Sequence, residues 1–190
     1  MKIFDTETNQ RLEKDVKNVL TTIGDDVSRD GLLETPARVS RAYAEIFAHT
    51  GERIFQDYKV FSTESDTDIV IVENIPFYSM CEHHLLPFFG TVDIAYVPNH
   101  KIIGLSKLPR LVDWSARRPS VQESLTTLVA DEVTRIVEPK GVAVNITARH
   151  MCMEMRGINR PGTQTNTSVY RGVLKTDALL RQQFMQRVIR

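Results

Sequence analysis

Apolar positions divide this chain into a helical opening, an alternating centre and a mixed second half. Leu12, Val16, Val19, Leu20 and Ile23 recur at helical spacing, and Gly24 follows where a left-handed cap is wanted. This predicts an amphipathic helix. A second helix is predicted from Thr35-Pro36, a capping residue followed by proline at the first helical position. It carries Val39, Ala42, Tyr43, Ile46 and Phe47 on one side and ends before Gly51. From Asp68 the texture becomes β-branched. Ile69–Val72 and Thr91–Val97 read as strands flanking a turn at Cys81-Glu82-His83-His84.

Ser106 to Arg118 and Ser120 to Val137 predict consecutive helices broken by Pro119, the second with Leu125, Leu128, Val129, Val133 and Ile136 as its buried stripe. Val142, Val144, Ile146, Ala148, His150 and Cys152 then alternate on one face of a predicted strand. Val169 to Leu174 predicts another strand, and Asp177 is placed to cap a closing helix bearing Leu180, Phe184 and Val188. This order predicts an α+β fold, an antiparallel sheet with helices on one face. With no repeat, low-complexity tract or dividing linker, residues 1–60 read as a helical segment joined to a sheet-bearing domain at 61–190, in one functional unit.

Composition narrows the function. The 190 residues include 24 Lys+Arg and 24 Asp+Glu, a balance that argues against a nucleic-acid partner while leaving room for a local cationic pocket. Met1-Lys2-Ile3-Phe4-Asp5 opens no signal-length apolar run, and no stretch has the length of a membrane span. A cytoplasmic protein is expected. In that reducing setting Cys81 and Cys152, both beside histidines, read as thiolate ligands rather than a disulfide.

Cys81 and His84 stand three positions apart, so one tight turn can aim both at a single ion, and Cys152 can close the set from a distant strand. Three ligands leave one corner for water, the signature of a catalytic zinc site; a closed structural site would ask for further cysteines. His83, adjacent to His84, points elsewhere and is free to pass protons, and His150 shares the strand face of Cys152. Ser120-Val121-Gln122-Glu123 is a capping-box pattern, in which Glu123 returns to the cap backbone. Lys107 and Arg110 lie one turn apart near a helix start and together suit phosphate, although ordinary surface charge also explains them. Arg156 continues the face of Cys152 if the strand extends, and Arg38 and Arg41 share one side of the second helix; their guanidinium forks suit phosphate oxygens. Met80, Met151, Met153 and Met155 are expected to pack around the site.

Taken together, these residues closely resemble the GTP cyclohydrolase I family. The likeness runs from about Arg29 to Val188. It covers Gly31-Leu32-Leu33-Glu34-Thr35-Pro36-Ala37-Arg38-Val39, the turn Ser79-Met80-Cys81-Glu82-His83-His84, Gly104-Leu105-Ser106-Lys107-Leu108-Pro109-Arg110, Arg118-Pro119-Ser120-Val121-Gln122-Glu123, and His150 to Gly157. The resemblance implies the tunnelling fold (T-fold), with 61–190 as its catalytic domain, in an oligomeric barrel. That assembly is typically a homodecamer of two pentamers with active sites between subunits.

The resemblance further implies hydrolytic opening of the guanine imidazole ring of GTP, formate release and rearrangement to 7,8-dihydroneopterin triphosphate. Cys81, His84 and Cys152 match the zinc ligands. His83 and His150 match the catalytic histidines, His83 protonating the imidazole portion of guanine while zinc-activated water attacks C8. Ser106 matches a catalytic residue near the ribose, implicated in the later sugar rearrangement. Gln122 and Glu123 match guanine recognition, which outweighs the capping reading of Glu123. Lys107, Arg110, Arg156, Arg38 and Arg41 match the triphosphate pocket.

Two rival readings stand beside this one. A relative of the same fold would act on another purine-like or pterin molecule with the same glutamate anchor. A metal-stabilised assembly module would have a closed fourth position and tolerate loss of His83. A nucleobase deaminase is disfavoured, because its His-x-Glu and Pro-Cys-x-x-Cys pair is missing.

Overall fold

Residues 4–64 and 66–188 are described by a computed structural model; Met1 to Ile3, Ser65, Ile189 and Arg190 lie outside it. The chain forms two compact units, Met1–Thr50 and Gly51–Arg190.

The first unit is a helix pair, α1 (Thr6–Thr22) and α2 (Thr35–Ile46). Asp5 caps α1 by accepting the Thr8 N–H at 2.7 Å, and Gly24 follows the helix at φ +91°. Leu12, Val16 and Leu20 are half-buried, whereas Val19 and Ile23 are exposed. The inward line is thus the i, i+4, i+8 row, narrower than the predicted stripe. The Ser40 hydroxyl donates to Asn9 Oδ1 at 2.6 Å, tying the two helices together. Helix α2 departs from expectation at both its start and its face. Thr35 is already helical, Glu34 occupies the cap position without a side-chain cap bond, and Ala42 is exposed while Pro36, Ser40 and Ala44 are buried.

The second unit contains β1 (Val60–Ser62), β2 (Val70–Cys81), β3 (Pro87–Val97), β4 (Lys101–Ile103), α3 (Lys107–Ala116), β5 (Pro119–Ser120), α4 (Gln122–Val137), β6 (Gly141–His150), α5 (Met151–Glu154), β7 (Gln164–Gly172), α6 (Val173–Thr176) and α7 (Ala178–Val188). Five strands form a sheet in the order β5-β2-β3-β6-β7, antiparallel except where β5 joins β2 in parallel; β1 and β4 form a separate antiparallel pair. The β-branched runs therefore form a mixed α+β architecture with a largely antiparallel sheet.

Strand alternation assigns the two faces. Val92, Ile94, Tyr96, Val142, Val144 and Ile146 belong to the main core with Leu108, Leu111, Val112, Leu125, Val129 and Val133 of α3 and α4. The intervening Ala95, Val97 and Ala143 point the other way and meet Leu174 and Phe184. Helices were expected on one face only. The short α6 and α7 instead cover one end of the reverse face, where Leu174 and Phe184 are fully buried. Asp177 does cap α7, accepting the N–H groups of Leu179 and Leu180 at 2.9 and 3.1 Å.

One irregularity in β2 decides where its end points. Val72 pairs with Ile94, but the next partners are Ile75 and Val92, so β2 spends three residues where β3 spends two. The bulge is held by Asn74, at φ 60°, whose N–H donates to Asp93 Oδ1 at 2.8 Å. Val70 and Val72 face the main core before it, and Ile75, Phe77 and Cys81 face the same core after it. An unbulged strand would send Cys81 to the reverse face.

Candidate active site

Strand β2 ends at Cys81, and the chain turns through Glu82 to Leu86 into β3. The N–H groups of His84 and Leu85 donate to Cys81 O at 3.3 and 2.8 Å, and the Cys81 N–H closes the hairpin on Leu86 O at 2.9 Å. Leu85 takes φ 51° to complete the turn. The tight turn brings the His84 Nδ1 to 3.8 Å from Cys81 Sγ, as the three-residue spacing predicted.

Cys152 arrives by a different route from the one predicted. Strand β6 stops at His150 and the chain coils into the helical turn α5, so Cys152 lies in a helical turn rather than on the strand. A bidentate ion pair spans this change of direction, with Arg149 donating to the two Glu154 oxygens at 2.8 and 2.5 Å. The consequence is convergence: the ligand atoms of Cys81, His84 and Cys152 all lie within 4.8 Å of one another. Both cysteines are free thiols. Burial, and then the neighbouring Cys81, push the Cys152 thiol above its ordinary pKa. A divalent cation among these atoms would reverse that balance. Two sulfurs and an imidazole nitrogen suit a borderline-soft ion with a position left open.

The same coil redirects Arg156, which the strand reading had put on an extended face. Its Nη1 donates to His84 Nε2 at 3.1 Å. Since a guanidinium only donates, Nε2 is the acceptor here and Nδ1 is the nitrogen turned toward Cys81. His83 is exposed beside the cluster, its ring edge-on to His84 at 6.2 Å, with Glu82 3.9 Å from its Nε2. Met80, Met151 and Met153 are half-buried, but Met155 is 64% exposed and does not pack as expected.

His150 is fixed on two sides. Its ring stacks on that of Phe88, with centroids 4.8 Å apart and planes 3° from parallel. Its Nε2 lies 2.8 Å from Gln122 Oε1. The Gln122 amide nitrogen donates to Ile146 O, Thr165 O and Thr167 Oγ1, each at 3.0 Å, so its oxygen is the acceptor and His150 donates from Nε2. The lone pair of neutral His150 therefore resides on Nδ1. Burial lowers the pKa of His150, with the Glu123 charge pulling weakly the other way, which favours the neutral ring. Direct contact between Gln122 and a ligand was the expectation. Its side chain is instead 1% exposed, with its polar atoms engaged in this network.

The capping box is not formed. Val121 occupies the cap position of α4, and the Ser120 hydroxyl donates to Val121 O. Ser120 is held instead by the sheet, paired with Cys81 while its carbonyl accepts the Glu82 N–H at 3.1 Å. Tertiary pairing outcompetes the local cap, leaving Glu123 exposed at the start of α4. Ser106 precedes α3 with no side-chain cap bond. Lys107 and Arg110 lie one turn apart on α3, both paired with Asp57, a residue the sequence did not flag. Arg38 is paired with Glu34, and Arg41 is exposed on α2 in the other unit.

The α5 turn carries a pH signature. Hydrogen bonds from Arg149 hold the Glu154 carboxyl below its ordinary 4.5. A depressed folded-state pKa stabilises the fold above the unfolded value, and the contribution disappears as pH falls through the folded value. Between about pH 5 and pH 3 the melting temperature of the native protein should therefore fall faster than that of Glu154→Gln. Parallel melting curves would contradict this.

Compared with known proteins, the chain matches the family described as GTP cyclohydrolase I over residues 12–189. It is 53% identical over 187 residues to GTP cyclohydrolase 1 of Lactiplantibacillus plantarum, covering 98% of this chain and 99% of that protein. Identity to the enzyme of the same name from Latilactobacillus sakei is 55% over 183 residues, covering 95% and 97%. The corresponding protein of Thermoanaerobacter pseudethanolicus is 49% identical over 177 residues, covering 93% and 94%.

Proposed function

The chain belongs to the GTP cyclohydrolase I family, and on that premise we infer that its Cys81–His84–Cys152 cluster is the centre at which GTP is opened. The enzyme is a hydrolase that opens the guanine imidazole ring of GTP, with overall consumption of one water and release of formate. The product is 7,8-dihydroneopterin triphosphate, made in the first step of tetrahydrofolate biosynthesis. The observation that carries the assignment of the centre is the convergence of the three ligand atoms within 4.8 Å, with His150 held nearby by Gln122.

In this reading Cys81, His84 and Cys152 hold zinc. When bound, the ion supplies a Lewis acid and lowers the pKa of water in its open position. His83, exposed on the turn, gives a proton to the imidazole portion of guanine. His150 accepts and returns protons at Nδ1, because its Nε2 proton is committed to Gln122. Gln122 thus acts through His150, and Glu123 anchors guanine. Ser106 lies toward the ribose. Lys107, Arg110 and Arg156, with Arg38 and Arg41, take the triphosphate. Binding energy gathered at these remote phosphates positions an otherwise unreactive aromatic carbon.

The assembly we propose is a homodecameric T-fold barrel of two pentamers in the cytoplasm, with active sites shared between subunits. Two open sheet edges support it. Strand β7 ends the sheet on one side, and on the other β5 covers only the last two residues of β2. Copies joined edge to edge would satisfy both. None of the helices in the described residues is long and apolar enough to cross a membrane.

Incubating metal-quantified protein with GTP should yield formate and, after oxidation, a fluorescent pterin in equal amounts. Metal-loaded protein that makes neither product would overturn the reading.

A further inference from the structure

Asp57 occupies the cations on which the anion pocket depends. Its Oδ1 accepts from Lys107 Nζ at 2.5 Å and its Oδ2 from Arg110 Nη1 at 2.6 Å, so one carboxylate spans both positive side chains on the first turn of α3. The two cations hold the Asp57 carboxyl below its ordinary range, so it stays ionised at neutral pH.

The carboxylate is held there by its own segment, which is pinned on both sides. Before it, Phe55 is buried in the main core. The Phe55 N–H donates to Glu132 Oε2 at 2.9 Å, and its carbonyl accepts from Arg135 at 2.8 Å. After it, the Lys59 carbonyl accepts the Gly104 N–H at 3.0 Å, just ahead of α3. The backbone thus presents Asp57 to Lys107 and Arg110 from two fixed points. Its two oxygens take one cation each, the arrangement two oxygens of a phosphate would adopt.

We propose that Asp57 is an internal competitor for the anion pocket, a carboxylate that a phosphorylated ligand must displace before it engages Lys107 and Arg110. The proposal rests on the reading of those two residues as triphosphate ligands. A ligand arriving at the pair meets one net positive charge, not two, and loses the free energy needed to break two existing bonds. The Asp57 and Arg110 side chains are more than half exposed, so their bond is a modest surface pair. Lys107 is 19% exposed, but the carboxylate it shares remains open to water, and the toll is one a polyanion can overcome. The device sharpens selection. A single phosphate gains too little to displace Asp57, whereas a chain of phosphates recovers the loss through its other contacts.

The test uses inorganic tripolyphosphate as the probe, its affinity measured by calorimetry on the full-length, metal-loaded protein. Asp57→Asn keeps the shape and removes the charge, and it should bind the probe roughly fivefold more tightly than the native protein. The KM for GTP, read by formate release, should fall by a similar factor. Asp57→Ser should reproduce the gain, and Lys107→Ala added to Asp57→Asn should abolish it. Unchanged or weaker probe binding in both Asp57 variants would overturn the proposal, since Asp57 would then be ordering the cations rather than blocking them. Absence of formate from the native protein would instead strike at the GTP reading and leave the probe comparison to decide the role of Asp57.

Discussion

The Cys152→Ser protein should lose its bound metal and its formate release together, turnover falling about a thousandfold, on the order of 4 kcal/mol of transition-state stabilisation. The argument runs through the ligand atoms. The ligand atoms of Cys81, His84 and Cys152 lie within 4.8 Å of one another, and a three-ligand site has no spare donor to replace one that is removed. Serine fills nearly the same volume, but its hydroxyl does not ionise at neutral pH and makes a poor ligand for a borderline-soft ion. Loss of an outer partner typically costs ten- to a hundredfold in metal affinity, and loss of a ligand itself should exceed that. Cys152 is only half-buried, so the fold should survive, and an unchanged circular dichroism spectrum would separate metal loss from unfolding. A serine variant that keeps stoichiometric metal and full turnover would refute the assignment.

Gln122→Leu should lower kcat about a hundredfold with little change in KM or metal content, and should also destabilise the fold by roughly 2–4 kcal/mol. The stability term comes from polar atoms left without their partner. Ile146 O and Thr165 O both lose the Gln122 amide donor, and the His150 Nε2–H loses its acceptor. Thr167 keeps its 2.7 Å contact with Thr126. The kinetic term comes from the imidazole itself. Stacking on Phe88 preserves the ring plane, but without Gln122 the ring loses the acceptor that holds its proton on Nε2. A merely structural glutamine would lower the melting temperature and leave kcat intact in the remaining folded protein. That split, measured below the melting transition, decides between the two roles.

Much of this centre was legible along the chain because its information is local. A thiol and an imidazole three residues apart converge in any tight turn, so the Cys81–His84 half follows from spacing alone. The pairing of Lys107 with Arg110 needs only one helical turn, and the Asp177 cap needs only the first N–H groups of α7. What spacing missed lies where long-range contacts override a local preference. The capping box at Ser120 failed because a strand partner claimed that residue first. The alternation through His150 suggested that Cys152 continued the strand, but a periodic pattern does not say where extension stops, and here the Arg149–Glu154 pair accompanies the coil. Asp57 carried no signal at all, since its partners are 50 and 53 residues away.

The residue sequence by itself determined the chemical inventory and its family: two thiols, three clustered histidines and a set of cations at spacings that turns and helices convert into neighbours. Tertiary structure decided which way these groups point. A bulge held between Asn74 and Asp93 keeps Cys81 on the core face, and a buried glutamine from another element selects the tautomer of His150. Both decisions rest on hydrogen bonds between residues far apart in the chain. Local propensity cannot encode those bonds, because each partner becomes available only once the sheet has formed.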